Sequence, residues 1–516
     1  MSHPIISVPL GATPYLERIL KARVYEVTRE TPLDFAPLLS TRLGNDVFLK
    51  REDLQEVFSF KLRGAYNKMS RLNEQERAGG IIAVSAGNHA QGVALAAQRL
   101  GLSVLIVMPT TAPQIKVESV QNRGAQVILV GDTYDEAAAY AYKIAKEKNM
   151  TLIHPYDDPE VIAGQGTVAM EILRQIKGDL HAIFVPVGGG GLIAGVSVYT
   201  KQLYPDIRVI GVEPAEAPCM HAALAAGRPV MLDQVGLFAD AVAVRQVGAE
   251  PFRIAQQCVD EVILVSTDEI CAAIKDIYDD TRSIVEPAGA LAVAGMKKYV
   301  ERVAIKNCKL VAINSGANIN FDRLRHVAER AEIGEHREAL LAVTIPERPG
   351  SFRKFCELIG RRSITEFNYR YADTKRAHVF VGIESPGGSE DKRALLESLK
   401  NNDYAVLDMT DNEMAKLHVR YMVGGHANGV LDEIVYRFEF PERPGALLRF
   451  LNRMGENWNI SMFHYRNHGS AYGRALVGLQ VAPAERLEFQ HFLDDLGYVY
   501  SAEVQNPAYE LFLGSL

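Results

Sequence analysis

Lys61 lies behind an aromatic ring in the stretch Ser59-Phe60-Lys61-Leu62-Arg63-Gly64-Ala65. A lysine stripped of water in such a setting drops its pKa and becomes a nucleophile toward an aldehyde. The plainer alternative for any single lysine is a solvated surface charge. Three clusters further along set this one apart: Ser85-Ala86-Gly87-Asn88-His89, Gly188-Gly189-Gly190-Gly191-Leu192 and Asn314-Ser315-Gly316. The four glycines follow the apolar run Ile183–Val187 and lead into Leu192-Ile193-Ala194. Without Cβ atoms, their backbone N–H groups can converge on a phosphate, helped by the N-terminus of a following helix. A flexible loop is the plain alternative and a nucleotide the rival ligand. Neither G-x-G-x-x-G with a later acidic residue nor G-K-[ST] is cleanly matched, so a small phosphate monoester suits the loop better.

The surrounding pattern says what must hold these residues. Between Val47 and Ala317, short apolar runs (Ile81–Ser85, Val104–Met108, Gln126–Val130, Ile183–Val187, Val209–Val212, Val262–Val265, Leu310–Ile313) alternate with helical stretches such as Gln91–Leu100 and Thr133–Lys148. Continuously apolar strands alternating with helices predict an α/β unit whose parallel sheet is covered on both faces. Ligands bind beyond the carboxyl ends of such strands, where Ser85–His89, Gly188–Gly191 and Ser315–Gly316 all fall. Near residue 331 the character changes to a polar linker, and the chain then repeats itself. Pro346-Glu347-Arg348-Pro349-Gly350 returns 95 residues later as Pro441-Glu442-Arg443-Pro444-Gly445, and Phe367-Asn368-Tyr369-Arg370 returns 96 later as Phe463-His464-Tyr465-Arg466. The drifting offset marks a duplicated small domain with loop indels. Each copy reads strand, Pro-Gly turn, helix, two strands, helix, strand, an α+β order that predicts an antiparallel sheet with helices on one face. The expected domains are 1–330, 338–410 and 432–506.

Composition narrows the class. A length of 516 residues exceeds what one core usually organises, and 56 basic against 63 acidic side chains leave no basic footprint for nucleic acid. The five cysteines are scattered and never spaced as C-x-x-C, which argues for a reducing compartment and against a disulfide framework or zinc site. Met1-Ser2-His3-Pro4 opens no signal peptide, and no apolar run reaches membrane length. A soluble cytoplasmic protein, without membrane or nucleic-acid partners, is expected.

An aldehyde-accepting lysine together with a phosphate cradle suggests pyridoxal 5'-phosphate. The motifs S-F-K-x-R-G-A, S-x-G-N-H-A-Q-G, G-G-G-G-L, E-P-A-G-A and S-G-x-N, in that order over residues 1–330, resemble those of the fold type II pyridoxal-phosphate enzymes, specifically the serine/threonine dehydratases. The duplicated tail resembles paired ACT-like regulatory domains, a combination found in the biosynthetic, threonine-deaminating branch of that family. The resemblance implies that Lys61 carries the cofactor as a Schiff base, with Phe60 beside it, and then serves as the Cα base. It implies that Asn88 bonds the cofactor's 3'-oxygen and that Ser85, Gly87 and His89 grip the substrate carboxylate. Gly188, Gly189, Gly190, Gly191 and Leu192 would take the phosphate, and Ser315 would face the ring nitrogen. Plainer readings stand beside these: Asn88 as a left-handed turn residue and His89 as a helix-start residue. Glu286 either lines the cofactor or caps a helix. Glu213 sits where some relatives place a cation ligand, but the second carboxylate is missing, so no metal is expected. The resemblance further implies L-threonine as substrate with L-serine second, isoleucine and valine as effectors near the Arg348-Pro349-Gly350 and Arg443-Pro444-Gly445 turns, and a homotetramer. Tyr369, Tyr371 and Tyr465 serve either there or in a core. The rivals are a serine racemase or another β-eliminating relative, and an inactive amino-acid sensor.

Overall fold

A computed structural model describes residues 13–516 except 322, 361, 418, 423, 428, 442–445, 455–456, 467–471, 507–508, 510–512 and 514–516. The chain divides into two compact units, 1–334 and 335–516.

The first unit contains two sheets, a division that the alternation of strands and helices does not by itself specify. The larger is ordered Leu33–Phe35, Asp46–Arg51, Lys309–Asn314, Ala182–Pro186, Arg208–Pro214, Glu261–Val265. Its pairings are parallel apart from the edge pair Leu33–Phe35 with Asp46–Arg51. The smaller is ordered Gln126–Leu129, Val104–Met108, Ile81–Val84, Thr151–Leu152 and is wholly parallel. Alternation of side chains explains why the central strands are apolar throughout. Ile183 and Val185 join the cluster with Ile162, Val168 and Ile193 on one face, while Phe184 joins Leu291, Val293 and Tyr299 on the other. Some helices begin where a side chain satisfies the first unpaired N–H groups. Thr133 caps helix Tyr134–Glu147 in a capping box with Glu136, and Asp158 caps Pro159–Gln175 with Pro159 at the first turn.

The second unit realises the duplicated order, strand, helix, two strands, helix, strand, in each copy. The two copies share one eight-stranded sheet, joined through antiparallel pairing of Ile364–Arg370 with Asn459–Arg466. Pairing the two equivalent strands places Phe367 against Phe463 at 5.3 Å between ring centroids, so a single core spans both copies. Tyr369 and Tyr465 are buried in that core and Tyr371 packs against it.

Candidate active site

Lys61 is the first residue of helix Lys61–Ser70, and its amine donates to the Pro155 carbonyl at 3.0 Å. The Phe60 ring centroid lies 5.4 Å from the same nitrogen. Burial pushes the ammonium down to about 8, partly offset by the negative charge of Glu286. The amine therefore gives up its proton far more readily than an ordinary lysine. Gly92 lets the helix Asn88–Leu100 approach this helix start, since a Cβ there would lie 3.1 Å from the Leu62 nitrogen.

The other motifs converge on the same place. Ser59 bridges Gly316, and the Phe60 N–H donates to the Ser315 carbonyl at 3.2 Å. Asn88 donates to Glu286 Oε1 at 2.6 Å and accepts from Asn318 Nδ2 at 2.7 Å; Asn318 also donates to the Val57 carbonyl at 2.8 Å. Glu286 precedes helix Pro287–Val303 but makes no side-chain cap. It holds Asn88 instead, and burial with the Asp240 charge pushes its carboxyl up to about 7. Ser315 donates to the Ala288 carbonyl at 3.3 Å. Ser85 Oγ accepts from the Gly87 N–H at 3.1 Å, which pre-folds the loop and leaves the hydroxyl proton to donate outward. Helix Asn88–Leu100 starts three residues earlier than periodicity suggested, so His89 lies within its first turn. The His89 ring is turned to the Ile153 carbonyl, 2.8 Å from Nε2, and burial beside Lys61 pushes it down to about 3. A neutral ring donating there leaves only its backbone N–H, one of the unpaired donors at the helix start, for an anion.

Gly190 has φ 94°, a conformation that suits glycine, and precedes helix Gly191–Leu203. A Cβ at Gly191 would stand 3.0 Å from Tyr156 Cα, and one at Gly188 would stand 2.9 Å from Val242 Cα. The loop thus follows its neighbours as bare backbone, with Leu192 buried behind it. Pro155, which holds Lys61, adjoins Tyr156, which lies against these glycines, so one short segment joins the amine to the loop. His154 accepts from the N–H of Asp157 at 2.8 Å and braces that segment. Among the described residues, Ser59 Oγ is buried with no hydrogen-bond partner. A depressed lysine, a helix N-terminus behind a glycine cradle and an orphaned buried hydroxyl fit a phosphorylated aldehyde such as pyridoxal phosphate.

Glu213 belongs to a different arrangement. Its oxygens accept from Met220 N at 2.8 Å and His221 N at 2.9 Å, which caps helix Cys219–Ala226, and burial pushes it up to about 7. Motif reading passed over Pro155, Tyr156, Glu286 as the partner of Asn88, and Arg63. Only Arg63 carried a signal, as the arginine of the S-F-K-x-R-G-A motif, two positions after Lys61.

Comparison with known proteins identifies the family. Residues 24–316 match the family model described as pyridoxal-phosphate dependent enzyme. Residues 329–419 and 424–513 each match the C-terminal regulatory domain of threonine dehydratase. The biosynthetic L-threonine dehydratase of Burkholderia multivorans is 56% identical over 504 residues, 97% of this chain and 99% of that one. The solved processed form of threonine deaminase isoform 2 from Solanum lycopersicum is 51% identical, with a TM-score of 0.62 over 63% of this chain and 90% of that one. Serine racemase from Dictyostelium discoideum is 32% identical, with a TM-score of 0.55 over 59% and 99% of the two chains. The chain belongs to the pyridoxal-phosphate dependent enzymes, and within them to the biosynthetic threonine dehydratases.

Proposed function

We propose that this protein deaminates L-threonine to 2-oxobutanoate and ammonia, with L-serine as a poorer substrate. Pyridoxal phosphate, when bound, supplies the electron sink that acidifies the substrate Cα–H. The residues divide the remaining work. Lys61 would hold the cofactor through its amine, and the same amine would take the Cα proton; a lysine held near 8 makes a competent base at neutral pH. Ser85, Gly87 and the first N–H groups of helix Asn88–Leu100 would receive the substrate carboxylate, and Asn88, held by Glu286 and Asn318, would bond the cofactor's oxygen. Gly188 to Leu192 would receive the phosphate. Ser315 offers the ring nitrogen a hydroxyl rather than a carboxylate. Such a hydroxyl would not keep that nitrogen protonated, which would favour loss of the β-hydroxyl over return of the proton. The observation that carries the reading is the buried Lys61 amine on Pro155, beside a glycine loop fitted to the same segment.

The duplicated unit supports feedback control. A cleft between its copies is lined by Arg348, Pro349, Gly350, Leu451, Trp458 and Ile460. Guanidinium and backbone donors beside an apolar wall suit a branched-chain amino acid, with isoleucine inhibiting and valine opposing it through different affinities for two states. The equivalent turn at Arg443-Pro444-Gly445 lies outside the described residues. The boundaries 338–410 and 432–506 delimit the two copies in this reading, and by family likeness the protein is a cytoplasmic homotetramer. Among the described residues, no helix is long and apolar enough to cross a membrane.

The test is a threonine deamination assay with isoleucine and valine titrated separately, beside an assay for D-serine. Production of 2-oxobutanoate that isoleucine suppresses supports the proposal. Racemisation in its place, or a protein that takes up no cofactor, overturns it in favour of the racemase or sensor.

A further inference from the structure

Arg63 follows Lys61 by two residues in the same helix and is completely buried. Two helical steps turn a side chain by about 200°, so Arg63 points away from the Lys61 amine. Its guanidinium makes five hydrogen bonds. Nε and Nη2 donate to Glu52 at 2.8 Å each, Nη1 donates to Thr167 at 3.1 Å and Glu171 at 2.6 Å, and Nη2 also donates to Glu171 at 2.9 Å. Lys50 adds a second buried cation, 2.7 Å from Glu171, and donates to the Thr31 carbonyl at 2.6 Å. Two cations and two carboxylates balance, which is the condition for burying them at all.

The placement matters more than the charge balance. Glu52 opens the loop between strand Asp46–Arg51 and Lys61, and Thr167 and Glu171 sit one turn apart on helix Pro159–Gln175. That helix is entered through Pro155, the residue whose carbonyl holds the Lys61 amine. The two helices touch backbone to backbone, since a Cβ on Gly164 would stand 2.7 Å from Gly64 Cα. Arg63 therefore ties the loop before Lys61, the helix that Lys61 starts and the helix behind its amine's partner.

We propose that Arg63 is a positioning residue: its planar fork, shared by Glu52, Glu171 and Thr167, fixes the Lys61 amine in register with Pro155 and the cofactor. This inference rests on Lys61 being the cofactor lysine. A lysine at position 63 would keep the charge but could not span both carboxylates with five donors.

Two variants test it in the full-length holoenzyme. Arg63→Leu/Glu52→Leu removes one charge of each sign and leaves the Lys50–Glu171 pair balanced; Arg63→Lys keeps the charge. Rates are taken per cofactor-loaded protein. The loaded site is fixed with borohydride and located by peptide mass, and cofactor uptake by the apoprotein is followed separately across pH. A displacement of the amine by about 1 Å costs on the order of 100-fold. The expected result is a fall in kcat of roughly that size for the double variant, with KM changed much less and uptake slowed and shifted in pH. Arg63→Lys should show a smaller fall of the same kind. A lowered melting temperature with kcat, uptake and pH profile unchanged in either folded variant assigns Arg63 to stability alone and overturns the proposal. If the double variant does not fold, Arg63→Lys decides by the same criteria. Borohydride fixation on a peptide without Lys61 would instead refute the cofactor assignment itself.

Discussion

Replacing Gly190 with alanine separates the phosphate loop's role from that of the lysine. Gly190 holds φ 94° and ψ −3°, and a Cβ there would lie 2.8 Å from Pro251 Cβ and 2.9 Å from the Met220 methyl. The backbone conformation costs a non-glycine residue about 1–3 kcal/mol. The Pro251 contact is about 1 Å inside ordinary carbon separation, an overpacking of the kind that costs about 1–3 kcal/mol. Met220 can swing its methyl aside, whereas Pro251 lies in the first turn of helix Ala249–Cys258 and cannot. The loop would relieve both strains by rotating toward negative φ, swinging the N–H groups of Gly190 and Gly191 away from the proposed phosphate position. Each hydrogen bond to a charged group contributes about 1.5–3 kcal/mol. Loss of one or two weakens pyridoxal phosphate binding by about 3 kcal/mol, roughly 100-fold. The assay is absorbance titration of apoprotein with pyridoxal phosphate and, separately, with pyridoxal, which lacks the phosphate. Gly190→Ala should weaken the first and leave the second nearly unchanged. Equal losses for both aldehydes, or no loss for either, would refute the assignment of the loop to phosphate.

Other consequences concern charge. Because the Glu286 carboxylate holds the Lys61 amine up, Glu286→Gln should lower it below its starting value of about 8 and move cofactor uptake by the apoprotein to lower pH; a shift to higher pH would contradict the electrostatic account. Glu213, raised from 4.5 to about 7, keeps in the folded state a proton that the unfolded chain has released. Stability contributed by that proton is present below about 4.5 and is lost as pH rises to about 7. Glu213→Gln should remove up to about 3 kcal/mol of that pH dependence, read from urea midpoints at either end of the window, and an unchanged slope would disprove the assignment. Arg348→Ala should raise the isoleucine concentration needed for half-inhibition about tenfold or more, the loss of one charged hydrogen bond; unaltered inhibition would place the effector elsewhere.

Much of the site is legible in the sequence because its parts lie at strand ends, where small residues, a lysine and apolar runs adjoin in the chain. Lys61, Asn88, the glycine loop and Ser315 stand out for that reason. Glu286 does not, since its role is a 2.6 Å bond to a residue 198 positions away. Nor does Pro155, whose contribution is a carbonyl that any residue possesses. The family resemblance implies a carboxylate-binding role for His89, whereas its ring is committed to Ile153, a partner that the pairing of Ile81–Val84 with Thr151–Leu152 brings near.

The sequence by itself determined the α/β alternation, the duplicated tail and the residues able to carry the chemistry, because these depend on side-chain type and short-range periodicity. Tertiary structure alone decided that the strands divide between two sheets and that the copies in the tail share one sheet. It also decided which carboxylate orients Asn88 and how Arg63 braces Lys61. Strand partners and buried charge pairs are chosen by long-range packing and desolvation, which compare whole arrangements of the chain and leave no local pattern to read.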